Sequence, residues 1–76
     1  MSPDKLVYMA NQIGKFFAHE GPEKGATSVA EHIRSFWDPR MRAAIFAHLD
    51  DEETKGLDPI PRQALLQLRA KTGVVA

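Results

Sequence analysis

Apolar residues recur at helical spacing along most of the chain. Leu6, Met9, Ala10, Ile13 and Phe17 form one stripe, with Phe16 at its edge. Ser2-Pro3 reads as the start of this first helix, with Ser2 as N-cap and Pro3 at the first helical position, and Gly21-Pro22 ends it. A second helix is expected from about Glu23 or Gly25 to Trp37. Its Ala26, Val29, Ala30, Ile33, Phe36 and Trp37 fall at i, i+3, i+4, i+7, i+10 and i+11, the cleanest amphipathic pattern in the sequence. Asp38-Pro39 breaks it, because proline disfavours the helical conformation in the residue before it. The same dipeptide starts a third helix, with Asp38 as N-cap and Met41, Ala44, Ile45 and Leu49 facing inward. The acids of residues 50–53 oppose a helix C-terminus and should stop it there. Thr54-Lys55-Gly56 then reads as a solvated loop. Asp58-Pro59 opens a fourth helix, with Ala64, Leu65 and Leu68 inward, Gly73 as C-cap and Val74-Val75-Ala76 as an apolar tail.

No segment alternates as a strand does. The pattern predicts an all-α fold: a small bundle of about four short helices with Pro-containing corners, one domain over residues 1–76. Three apolar residues fall off these faces. Tyr8 lies away from the Leu6-Met9-Ile13 face, Phe46 off the Met41-Ile45 face, and Leu66 nearly opposite Leu65 and Leu68. Either they form an additional contact surface or the third and fourth helices are rotated from this assignment. The pattern D-P-x-x-R-x-A occurs twice, at Asp38 and at Asp58, and reads as one helix-start solution used twice rather than as a repeat.

Length sharpens this picture. A chain of 76 residues buries only ~60% of the surface its unfolded form exposes, so disulfides, a metal or a partner usually support it. Cysteine is absent, which excludes disulfides and thiolate ligation and leaves a partner as the expected support. The 10 lysines and arginines match the 10 aspartates and glutamates, a balance that opposes nucleic-acid binding, the class to which a helix-turn-helix reading would belong. No apolar run approaches the ~20 residues that span a bilayer, and the start of the chain lacks a signal-peptide core. A soluble, cytoplasmic protein is expected.

Little in the sequence suggests catalysis. His19, His32 and His48 sit on three different predicted helices, none spaced as a two-histidine metal face, and read as surface or boundary residues. Ser2, Ser28 and Ser35 have no adjacent base, and Thr27 and Ser28 suit a capping role. The acidic run lacks an EF-hand pattern. One constellation is unusual: Arg34-Ser35-Phe36-Trp37-Asp38-Pro39-Arg40-Met41-Arg42 sets two large aromatics and three arginines around one corner. In one reading Phe36 and Trp37 close the core and arginine stems cover them. In the other, the arginines Arg34, Arg40 and Arg42 face a partner, with Phe36 and Trp37 holding the corner that presents them. The Tyr8–Lys15 side of the first helix is the next candidate contact face.

The segment Lys5-Leu6-Val7-Tyr8-Met9-Ala10-Asn11-Gln12-Ile13-Gly14-Lys15-Phe16-Phe17 precedes His32-Ile33-Arg34-Ser35-Phe36-Trp37-Asp38-Pro39-Arg40-Met41-Arg42, and Gly56-Leu57-Asp58-Pro59 follows. These strings resemble the delta subunit family of NAD-dependent formate dehydrogenases over about residues 5–68. Pro61 has no counterpart in that pattern. The resemblance implies a non-catalytic accessory subunit, without cofactor of its own, in a soluble complex that oxidises formate and reduces NAD. It implies an alpha catalytic subunit as partner, carrying a molybdenum or tungsten bis-pterin cofactor and iron–sulfur clusters, with beta and gamma subunits holding FMN and further clusters. The implied role is assembly, cofactor retention or stability of the large subunit; a dissociable chaperone for cofactor insertion is the alternative.

Overall fold

A computed structural model describes residues 2–51 and 54–71. Among them are four α-helices and no strand: α1 (Pro3–Phe17), α2 (Pro22–Phe36), α3 (Pro39–Ala47) and α4 (Pro59–Lys71), with a 3-10 turn at Ala18–Glu20 between the first two. All four helices open on proline, whose fixed φ suits the first turn and whose missing N–H is not needed there. The expected Gly73 cap and the Val-Val tail lie outside the described residues, as do Glu52 and Glu53.

The links between helices are tight. Ser2 is extended (φ −77°, ψ 154°) and its carbonyl accepts from Lys5 and Leu6, but its hydroxyl makes no capping bond. Gly21 takes φ 93°, a region an L side chain rarely adopts, and its carbonyl accepts from Gly25 at 2.8 Å, so α2 begins at Pro22, ahead of the expected start. At the second corner Trp37 and Asp38 are both extended (ψ 137° and 165°), and the Asp38 carboxylate accepts from the Met41 N–H at 2.9 Å. The break at Asp38-Pro39 follows from the pre-proline restriction, and the cap satisfies a donor that the new helix leaves open.

α2 forms the centre of the bundle. It packs along α4 and against α1, while α3 touches both α1 and α4. Leu6 and Ala10 of α1, Ala26, Val29 and Ile33 of α2, Trp37, Ile45 and Phe46 around α3, Leu49, Leu57, and Ala64, Leu65 and Leu68 of α4 make one core cluster. The close approach of α1 to α4 depends on Gly14: a Cβ there would lie 2.8 Å from Pro61 Cδ. Pro61 is buried at the third position of α4, still within the turn whose N–H groups have no helical acceptor, so a second proline does not interrupt the helix.

Several expectations change. Phe46 is buried (7% exposed) and Leu66 is half-buried against the core. α3 lies between α1 and α4, so burial extends around more of its circumference than a single stripe would predict. α3 ends at Ala47, before the acidic run, yet Leu49 just beyond it stays buried. Thr54 is fully buried rather than solvated, with its hydroxyl within hydrogen-bond distance of the carbonyls of His48 (2.7 Å), Leu49 (3.1 Å) and Asp51 (3.2 Å). Arg62 donates to the carbonyls of Leu49 (3.0 Å) and Thr54, fastening the same loop to α4. Asn11 holds the next stretch to α1: its amide donates to the Gly56 carbonyl at 3.0 Å and accepts from the Asp58 N–H at 2.8 Å.

Candidate interaction surface

The corner residues divide between core and surface. Trp37 is 5% exposed and closes the core. Phe36 is 75% exposed, against its expected place in the apolar stripe of α2. The helix explains the difference. Phe36 stands about 60° around the axis from Ile33, on the side of His32 one turn earlier. Trp37 leaves helical geometry, and it fills the inward position at the helix end.

The arginines also divide. Arg42 donates to the Arg34 carbonyl at 2.8 Å, satisfying an acceptor in the last turn of α2. Arg34 pairs with Glu31 at 2.7 Å on the open surface of α2. The hydrogen bond from Arg34, followed by its charge, holds the Glu31 carboxyl below its ordinary value. The contribution of this pair is present above the unfolded pKa and lost as pH falls through the lowered folded one, but both side chains are exposed and water screens them. Arg40 is exposed and its side chain makes no hydrogen bond or ion pair with a described residue.

Phe36 belongs to a series of rings that the sequence pattern did not bring together. Phe16 meets Phe17 edge-on with centroids 4.9 Å apart, Phe17 lies 6.2 Å from His32, and His32 lies 4.7 Å from Phe36. The series crosses from the end of α1 to the end of α2. Its outer members are open to solvent, Phe16 at 72% and Phe36 at 75%, while Phe17 and His32 are half-buried. Two local signals were present: the adjacent Phe16-Phe17 pair and the i, i+4 spacing of His32 and Phe36. Their meeting depends on how α1 packs against α2, which no local pattern contains. Tyr8 is 66% exposed and outside this series, and Lys15 is exposed beside Phe16.

Thr27 and Ser28 do not cap α2. Thr27 donates to the Glu23 carbonyl one turn back, and Ser28 donates to the Glu20 carboxylate at 2.6 Å, tying the 3-10 turn to the helix. His48 pairs with Asp51 at 2.8 Å. Among the described residues no three His, Asp or Glu side chains converge as a metal site, and no helix is long and apolar enough to cross a membrane.

No curated protein and no solved structure matches the chain. The family model described as NADH-dependent formate dehydrogenase delta subunit FdsD matches residues 5–65, which include the Asn11 clamp, the ring series and the Asp38-Pro39 corner. That match covers most of the 76 residues, and the chain therefore belongs to the delta-subunit family of NADH-dependent formate dehydrogenases.

Proposed function

We propose that this chain is a non-catalytic accessory subunit that binds the large catalytic subunit of a soluble molybdenum- or tungsten-containing formate dehydrogenase and supports its assembly, cofactor retention or stability. The family match over residues 5–65 carries this reading. The composition agrees with it. A chain without cysteine supplies no thiolate ligand to an iron–sulfur cluster; the family resemblance implies that the clusters, FMN and the bis-pterin cofactor belong to the alpha, beta and gamma subunits.

The test compares the complex produced in the cytoplasm with and without this chain. Expected is a loss of molybdenum or tungsten per large subunit, or a shorter thermal half-life of formate-dependent NAD reduction, when the chain is missing. Equal metal content and equal half-life would overturn the reading. Retention of the chain at fixed stoichiometry in the active enzyme separates a permanent subunit from a dissociable assembly chaperone.

A further inference from the structure

We propose that the ring series Phe16–Phe17–His32–Phe36 is the surface by which this chain docks, and that its occupant is an apolar patch of the large catalytic subunit rimmed by carboxylates. The proposal rests on the accessory-subunit reading above and locates its interface on α1 and α2.

The first argument is contiguity. A single exposed aromatic means little, because much of any protein surface is apolar. Here the exposed Phe16 and Phe36 are joined through Phe17 and His32 by ring contacts of 4.9, 6.2 and 4.7 Å, so they form one patch rather than two scattered residues. Contiguous apolar surface of this kind marks interaction sites in soluble proteins. The rings are stiff and held by one another, so little side-chain freedom is lost when a partner covers them.

The second argument is charge. The carboxylates nearest the series in sequence are already engaged inside the chain: Glu20 accepts from Ser28, Glu31 pairs with Arg34, and Asp38 caps α3. Two exposed cations next to the series in sequence are not. Lys15 immediately precedes Phe16, Arg40 follows Phe36 by four residues, and neither side chain contacts an acceptor among the described residues. An aromatic patch adjoined in sequence by exposed cations that hold no partner within the described residues complements an apolar surface bordered by carboxylates, where arginine forks bond bidentately. It does not complement a phosphate backbone, since the cations are few and the centre is apolar. Of the corner arginines, Arg40 carries this contact; Arg34 and Arg42 hold internal partners.

The experiment uses complex made without this chain, to which purified chain is added back and its affinity measured. Phe16→Ala/Phe36→Ala should weaken binding by about 30-fold or more, the scale of an interface hot spot, while circular dichroism and Tm of the free chain stay unchanged. Lys15→Glu/Arg40→Glu should weaken binding and flatten its dependence on salt. Wild-type chain that binds together with ring variants that bind equally well would overturn this surface and leave the accessory reading intact. Release by Tyr8→Ser alone would overturn it likewise and place the interface on the outer face of α1. A free chain that is dimeric, and becomes monomeric in the Phe16/Phe36 variant, would assign the surface to a second copy of this chain and overturn the proposed occupant. Failure of the wild-type chain itself to bind would sink the accessory reading.

Discussion

At the scale of single residues, burial and contact separate side chains that look alike in the sequence. Phe36 and Trp37 are neighbours of similar size, yet one is 75% exposed and the other 5%. Trp37→Ala should cost ~3–5 kcal/mol, comparable to what a small core supplies in total, and leave the free chain largely unfolded by circular dichroism. Phe36→Ala should change stability by no more than about 0.5 kcal/mol, because a mostly exposed side chain leaves no cavity. Gly14 poses a question of sign. Alanine would gain ~1 kcal/mol from helix propensity, but its Cβ would meet Pro61 Cδ at 2.8 Å. A pyrrolidine ring cannot rotate aside, and overpacking costs about 1–3 kcal/mol, so Gly14→Ala should lower Tm. Pro61→Ala in the same chain should recover part of that loss. A Tm that rises in the single variant would show that α1 can shift outward without penalty.

At the scale of elements, the two D-P-x-x-R-x-A strings have one mechanical meaning. In each, proline opens the helix and the carbonyl of the aspartate accepts from the arginine N–H, at 3.1 Å for Arg42 and 3.0 Å for Arg62. The guanidinium then reaches back to carbonyls of the preceding segment, Arg34 in one case and Leu49 and Thr54 in the other. Each helix start therefore also ties down the end of what came before. Removing the second tie should cost more than removing a helix cap: Arg62→Met leaves Leu49 and Thr54 without a charged donor, a loss of about 2–3 kcal/mol in chemical denaturation, whereas Asp38→Ala removes one cap worth ~1 kcal/mol. Helix existence, the α2 stripe as far as Ile33 and the Asp38-Pro39 corner were legible in the sequence because caps, prolines and apolar spacing are local, whereas Phe36 was placed in that stripe and is exposed. The pairing of Gly14 with Pro61, the ring series and the burial of Thr54 were not, since each joins residues from separate segments. For Phe46 the sequence offered both a contact surface and a rotated helix, and its burial selects the second, because a helix of 9 residues packed between two others shows no single inward face.

At the scale of the whole molecule, four short helices share one core within 31 × 23 × 20 Å. A chain this small is expected to gain much of its stability from its partner. If it binds as proposed, partner at 100 times Kd adds about 2.7 kcal/mol, which for a domain of this size is an increase of about 10–20 °C in Tm. Differential scanning of the chain alone and in the complex measures this, and equal Tm would contradict it. Within the chain, the Asn11 amide joins residues 45 and 47 positions apart, bonding Gly56 and Asp58 at once. The Asp58 N–H lies just ahead of a helix, where such groups normally have no helical acceptor and trade hydrogen with water quickly. Here its acceptor is carried by a different helix, so it opens only when α1 withdraws or Asn11 swings away. Its deuterium uptake is thus a clock for the detachment of α1 from the start of α4. Asn11→Asp, which replaces the donor toward Gly56 with an oxygen, should advance that clock at Asp58 while amides inside α4 keep their own time.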